Sequence, residues 1–164
     1  MITNRFRSKD KVIITQNNAV VCETYDECSL IHRLKTWMGI GNYATDLLLD
    51  KGIEDITAMI AARYDYISYG TGTTAPSASD LQLESEVERV QCTSKIISTT
   101  FTTNDTVTFR TTFTPSNSHD ITEVGIHKNA TTSGDITLAR ETFSAFAAVG
   151  GVSFDIAYSI ITMR

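Results

Sequence analysis

The segment Thr106–Thr114, TVTFRTTFT, alternates without a break. Val107, Phe109, Thr111 and Phe113 fall on one side, with Thr106, Thr108, Arg110, Thr112 and Thr114 on the other. A period of two is the signature of a strand with one buried and one wet face. The pattern returns near the end of the chain, where Val152, Phe154, Ile156, Tyr158 and Ile160 oppose Ser153, Asp155 and Ser159. Threonine, β-branched and polar, suits such wet faces. It makes up 25 of the 164 residues, 15 of them between Thr93 and Thr142, against only 2 prolines and 9 glycines. A helical bundle is a poor solution for this chain. The expected fold is mainly β: an antiparallel β-sandwich with one or two short α-helices and an N-terminal arm.

The pattern divides the chain near residue 50. Residues 1–50 read as an N-terminal arm or docking element made of a hairpin and a helix. The hairpin spans Lys11–Val21 with Gln-Asn-Asn as its turn. The helix begins at Ser29, places Leu30, Ile31, Leu34, Trp37 and Met38 at helical spacing, and stops at Gly39. Residues 51–164 read as a Thr-rich β-sandwich domain. It opens with a second helix from Gly52, in which Ile53, Ile56, Met59 and Ile60 share a face and Glu54 and Asp55 occupy the first turn. A strand over Tyr64–Tyr69 follows, then a loop over Gly70–Ser79 and a short helical turn through LQLESEVER, capped by Ser79 or Asp80. Five further strands are predicted: Val87–Ser98, Thr106–Thr114, Ile121–Lys128, Ile136–Ala145 and Val152–Thr162. Asn, Asp, Ser and Gly punctuate the gaps between them.

Charge and spacing argue against several kinds of chemistry. The net charge is −5, and the only basic run, Arg5, Arg7, Lys9 and Lys11, is short and interrupted. It reads as a solvated arm, so no nucleic-acid partner is expected. No stretch is long and apolar enough to span a membrane, and MITNRFRSKDK lacks the apolar core of a secretory signal, so synthesis in a cytoplasm is expected. Cys22, Cys28 and Cys92 make no even disulfide framework and no zinc set. His32, His119 and His127 lack partners at metal spacing, and each reads as a surface or structural residue. Ser118-His119-Asp120 has the letters of a hydrolase triad, but adjacent residues cannot stack as nucleophile, base and orienting acid. Gly39-Ile-Gly41-Asn-Tyr-Ala44 follows a helix rather than a strand, and Gly70-Thr-Gly72 lacks the lysine of a phosphate loop. The acidic group Glu84, Glu86 and Glu88 reads as a solvated face, with Arg89 beside Glu86 as an ion pair. No catalytic, cofactor-binding or metal-ligating residues are therefore assigned, no cofactor is expected, and the chain is expected not to be an enzyme.

One ordered string of residues goes further. YGTGTTAPSASDLQLESEVER carries Gly70, Gly72, Pro76, Ser79, Asp80, Leu83, Glu86, Val87 and Arg89 in the order Gly-x-Gly, Pro-x-x-Ser-Asp, Leu-x-x-Glu-Val-x-Arg. NDTVTFRTTFTP follows. Then ITEVGIHKNATTSGDITLARETF supplies Ile121, Glu123, Gly125, Leu138, Ala139, Arg140 and Phe143, and FDIAYSIITMR closes the chain. This succession over residues 52–164 resembles tail-collar and tail-fibre-like virion structural proteins of tailed phages. The resemblance implies scaffold roles, and opposite charge makes Arg89 or Arg140 the expected partner of Glu123 inside or at the rim of the sheet.

It also implies a place in a virion, most readily tail-associated at the collar, baseplate or fibre attachment. A capsid decoration, vertex or neck protein is the alternative. The implied partners are other virion structural proteins and copies of the chain itself, with residues 1–50 as the docking element. A different class, a module binding a host-surface glycan or receptor, would use exposed aromatics, for which Tyr64, Tyr66 and Tyr69 are the candidates.

Overall fold

The computed structural model describes residues 8–16, 19–28, 49–132 and 135–162, the first two segments by their backbone pairing. The helix expected over Ser29–Gly39, Arg5, Arg7, His32 and the Gly39–Ala44 string lie outside the described residues. The elements are β1 (Ser8–Gln16), β2 (Ala19–Cys28), α1 (Asp50–Arg63), β3 (Tyr66–Gly70), β4 (Glu86–Gln91), β5 (Ser94–Ser98), β6 (Thr106–Phe113), β7 (His119–His127), β8 (Thr137–Ala148) and β9 (Phe154–Thr162). They form two antiparallel sheets, one in the order β2-β1-β9-β6-β5 and one in the order β4-β3-β7-β8. The protein is a β-sandwich with a short helix.

The core lies between the sheets. β6 and β9 present Val107, Phe109, Phe113, Phe154, Ile156, Tyr158 and Ile160, while β3, β7 and β8 answer with Ile67, Tyr69, Ile121, Val124, Ile126 and Phe146. Register explains why both alternating segments were readable. Val107 pairs with Ile160, Phe109 with Tyr158, Thr111 with Ile156 and Phe113 with Phe154, so two apolar rows coincide on one face. The opposite face is a ladder of short polar side chains. Thr108 Oγ1 lies 2.8 Å from Ser159 Oγ, Thr112 Oγ1 donates to Asp155 at 2.6 Å, and Thr114 Oγ1 lies 2.8 Å from Ser153 Oγ. Thr108, Thr112 and Thr114 are thus used in cross-strand pairs.

Aromatic rings join the sheets at one end. Phe154 of β9 stacks on Phe113 of β6 at 5.7 Å and meets Tyr69 of β3 and Phe146 of β8 edge-on at 5.6 and 5.5 Å. Tyr69 also contacts Phe113 edge-on at 5.0 Å. Such pairs add about 0.5–1.5 kcal/mol each beyond the area they bury.

Several expectations are corrected. The strand expected over Val87–Ser98 is two strands in different sheets. Cys92 N donates to Asp65 O on the β3 side, and the next residue, Thr93, donates to Arg110 O of β6, so the chain changes sheet within two residues. The helical turn expected through LQLESEVER is absent. Residues 86–91 are strand, and the N–H groups of Glu84 and Ser85 donate to the side chain of Glu123. Asp80 caps no helix; its carboxylate accepts from Ser77 N at 2.9 Å. In α1 the buried stripe is Ile53 and Thr57, with Ile60 packed on the core, whereas Met59 is 57% exposed. The hairpin of residues 1–50 is longer than predicted, and its first strand pairs along β9 from Ser8↔Thr162 to Thr15↔Asp155, so that it belongs to the larger sheet.

Phe154 touches rings from both sheets, so Phe154→Ala should lower unfolding free energy by about 3–5 kcal/mol. Leu81→Ala, at a site 81% exposed, should change it by no more than about 0.5 kcal/mol. Urea titrations of the two variants check this contrast; equal midpoints would contradict it.

Candidate functional site

The outer face of the four-stranded sheet is where this molecule departs from a plain sandwich. In β3 and β7 the core-facing residues Ile67, Tyr69, Val124 and Ile126 alternate with Ser68, Gly70, Glu123, Gly125 and His127, which face outward. An outward face is normally wet. Here Ser68, Glu123 and His127 are fully buried, because the segment 71–85 folds back across them. Leu83 provides the lid contact: it is buried over Gly125, where a Cβ would collide with the Leu83 side chain and stand 2.7 Å from His127 Nε2.

Glu123 anchors that segment. Its Oε1 accepts hydrogen bonds from Gly72 N at 3.0 Å and Ser85 N at 2.7 Å. Its Oε2 accepts from Glu84 N at 3.0 Å and Arg140 Nε at 2.8 Å. Arg140, itself nearly buried, reaches Asp80 Oδ2 at 2.6 Å and donates to Thr74 O at 3.0 Å. Thr122 Oγ1 donates to Gly72 O at 2.8 Å, and Thr137 Oγ1 donates to Leu81 O at 2.7 Å. The loop is therefore held along its length. The Ser77 N–H, with the Arg140 guanidinium, holds the Asp80 carboxyl below the usual carboxylate range.

The geometry gives Gly70 and Gly72 a packing role rather than a special backbone conformation. Among the described glycines only Gly151 has a positive φ. A Cβ on Gly70 or on Gly72 would stand 2.5 Å from Glu123 Oε1. The two glycines make room for the carboxylate.

A second network lies beside the first. Arg89 of β4 grips Glu86 through Nε and Nη2, at 2.9 and 2.6 Å, and Asp135 through Nη1 at 2.6 Å. Nη1 also donates to Asn129 O at 2.9 Å. Asp135 Oδ2 lies 2.8 Å from His127 Nδ1, and His127 Nε2 lies 2.6 Å from Ser68 Oγ. Burial, reinforced by the Arg89 charge and opposed by Asp135, pushes the His127 pKa below its ordinary 6.5. In the neutral ring the acceptor-only Asp135 carboxylate assigns the proton to Nδ1, so Nε2 accepts from the Ser68 hydroxyl. The expected alternatives for Glu123 resolve in favour of Arg140. The Arg89–Glu86 pair forms, but it is buried rather than a solvated surface contact.

Ser68, His127 and Asp135 have the distances of a nucleophile–base–acid relay. All three are buried, Leu83 lies against the histidine, and Arg89 holds the acid. Ser68 Oγ is buried, and the bonds among the three residues fasten β3, β7 and the β7–β8 connection to one another. The contiguous Ser118-His119-Asp120 string does not assemble: Ser118 Oγ instead accepts from Gly150 N at 3.1 Å. Of the tyrosines considered for a glycan, Tyr64 and Tyr69 are core residues, and Tyr69 donates its hydroxyl to Glu88 at 3.0 Å. Burial, then the Glu88 bond and charge, push the Tyr69 pKa well up. Cys92 is a free, half-buried thiol raised to about 12, chiefly by burial. Cys22 and Cys28 lie in β2. Among the described residues no group of three His, Cys, Asp or Glu side chains could hold a metal ion, and no helix is long and apolar enough to cross a membrane.

Two predictions test the networks. Glu123→Gln turns an amide N–H₂ toward donors, so it should cost about 3–5 kcal/mol and speed proteolysis within residues 71–85. Unchanged thermal stability would rule out the anchoring role. His127 has a lower pKa folded than unfolded, so the unfolded chain binds the extra proton first. Stability supplied by neutral His127 is complete above the ordinary value of 6.5 and falls as pH drops from there toward the folded pKa. Calorimetry from neutral pH down to about pH 5 should show a falling midpoint, with a shallower slope in His127→Gln. Equal slopes would remove His127 as the cause.

No family model, curated protein or solved structure matches this chain.

Proposed function

We propose that this chain is a structural subunit of a tailed-virus particle, acting by assembly with other virion proteins and with copies of itself. Its place would be the tail, at the collar, baseplate or fibre attachment. The reading begins from the resemblance of residues 52–164 to tail-collar and tail-fibre-like proteins. The observation that carries it is the convergence of that pattern. Gly70, Gly72, Asp80 and Leu83 of its first block meet Glu123, Gly125 and Arg140 of its later block around one buried carboxylate. Residues separated by 40 to 70 positions thus answer to a single packing requirement, which supports reading the blocks together.

The physical character of the unit suits the role. A loop held along its length by Glu123, Arg140 and Thr137 presents a fixed surface, with Leu81 outermost. Ordering that surface takes place on folding, so a neighbouring subunit docking there need not pay for it again.

The test is localisation. Particles of the virus that encodes the chain should contain it by mass spectrometry after gradient purification, and immunogold should label the tail. Label on the capsid vertex or neck would move the address to the alternative. Expression in infected cells with none in purified particles would refute the structural role.

A further inference from the structure

We infer that Leu83 is an acid-released cover: a proton taken up at His127 Nε2 lifts the Leu81–Leu83 stretch off the outer face of the smaller sheet, while the Glu123 anchor keeps the rest of the loop in place. The inference rests on the packing of that loop and not on the virion reading.

The new proton falls where the fold accommodates it least. Nδ1 already carries its hydrogen toward Asp135 Oδ2, with Thr137 Oγ1 at 3.1 Å, so Nε2 is the nitrogen left to titrate. Its polar neighbour is Ser68 Oγ at 2.6 Å. Toward the neutral ring Ser68 donates. Once Nε2 holds a proton, that hydroxyl must turn to accept, and its own hydrogen loses the acceptor it had. The other cover of Nε2 is apolar. A Cβ on Gly125 would meet Leu83 Cδ1 and His127 Nε2 together, so the leucine and the nitrogen flank the same bare glycine. Both residues are buried. The charged groups around the ring give little relief. Asp135 Oδ2 is shared with Arg89 Nη1 at 2.6 Å, and Glu86 is bound to the same guanidinium. Asp65 donates its N–H to His127 O, but its carboxylate is turned to Lys95. An imidazolium would thus lie close to Arg89 with these acids already engaged. A buried charge short of partners costs more than an exposed leucine.

The covering stretch can move by itself. Asp80, before it, is tied to Arg140, and the N–H groups of Glu84 and Ser85, after it, are tied to Glu123. Between these ties, among the described residues, Leu81–Leu83 is held by one hydrogen bond, from Thr137 Oγ1 to Leu81 O at 2.7 Å, and by the burial of Leu83. The donors to Glu123 are the N–H groups of Gly72, Glu84 and Ser85 and the Arg140 guanidinium, and none of them bonds to His127. Leu81 and Gln82 are already exposed, so lifting the stretch uncovers a single side chain and admits water to the ring.

NMR of the full chain tests this, with isotope-labelled leucine and isoleucine methyls and a soluble, uncharged gadolinium chelate as the exposure probe. As the pH falls from about 7.5, the relaxation that the chelate causes at the Leu83 methyls should rise about fivefold or more. Its midpoint should coincide with that of the His127 ring titration, while the Ile126 methyl in the core stays protected. His119→Gln should leave the Leu83 transition in place, and His127→Gln should abolish it. If the His127 variant does not fold, the coincidence of the two midpoints in the unaltered chain decides. Leu83 methyls still protected after the ring has titrated, release of Leu83 and Ile126 together, or the same transition in His127→Gln would each overturn the assignment. None of these outcomes bears on whether the chain enters particles.

Discussion

A carboxylate removed from water must be met by donors, and Glu123 is met by four. Three are backbone N–H groups of the segment 71–85 and one is the Arg140 guanidinium. Much else in the smaller sheet follows from this. The loop must return across the outer face to deliver those N–H groups. Gly70 and Gly72 must lack side chains so that Oε1 fits, and Arg140 must stand on the neighbouring strand. A buried ion pair is a doubtful source of net stability, because desolvation offsets most of the attraction. Its effect here is selective. A loop with only Leu83 to bury could settle in several ways, whereas three N–H groups converging on one carboxylate accept a single arrangement.

The larger sheet is organised by the opposite principle. On β6 and β9 the inner face relies on rings and β-branched side chains in register, and the outer face on cross-strand pairs of short polar side chains, with no buried ionic group on either strand. The sheets therefore have distinct vulnerabilities. Acid reaches the smaller one, through His127. Cavities reach both at once, through Phe154 and its aromatic neighbours. Among the described residues only Thr162 Oγ1 is a buried side-chain polar atom without a partner, so the dense polar face is almost fully satisfied.

What could be read in the sequence tracks how local each signal was. β6 and β9 were legible because alternation needs only neighbours, and the Asn-Asp turn before β6 because its chemistry lies within a few residues: Asn104 takes a positive φ of 56° and Asp105 accepts from the loop before it. The change of sheet at Cys92–Thr93 carries no Gly or Pro and depends on which distant carbonyl each N–H finds, so an unbroken strand was the natural reading. LQLESEVER has helical composition. The N–H groups of Glu84 and Ser85 are taken by a glutamate nearly forty residues away, which no local rule detects. The Glu123–Arg140 pair was foreseen only as one of two options. Ser68, His127 and Asp135 are not legible as a set, because the β3–β7 pairing brings Ser68 to His127 and the connection before β8 brings Asp135.

Those three residues show how far geometry alone can mislead. Their distances would suit acyl transfer, yet the same atoms under Leu83 and against Arg89 form a fastening. A nucleophile is useful only where a substrate can reach it, and a fastening only where water cannot. Burial decides between the two, and here it favours the second. Among the described residues, networks hold still two surfaces that they do not cover: the back of the 71–85 loop, and the Phe101 loop beside β5. Both present apolar side chains on backbone already fixed by a buried carboxylate, Glu123 beneath the first and Asp105 beside the second. A surface that is already rigid costs less to order when another folded protein docks on it.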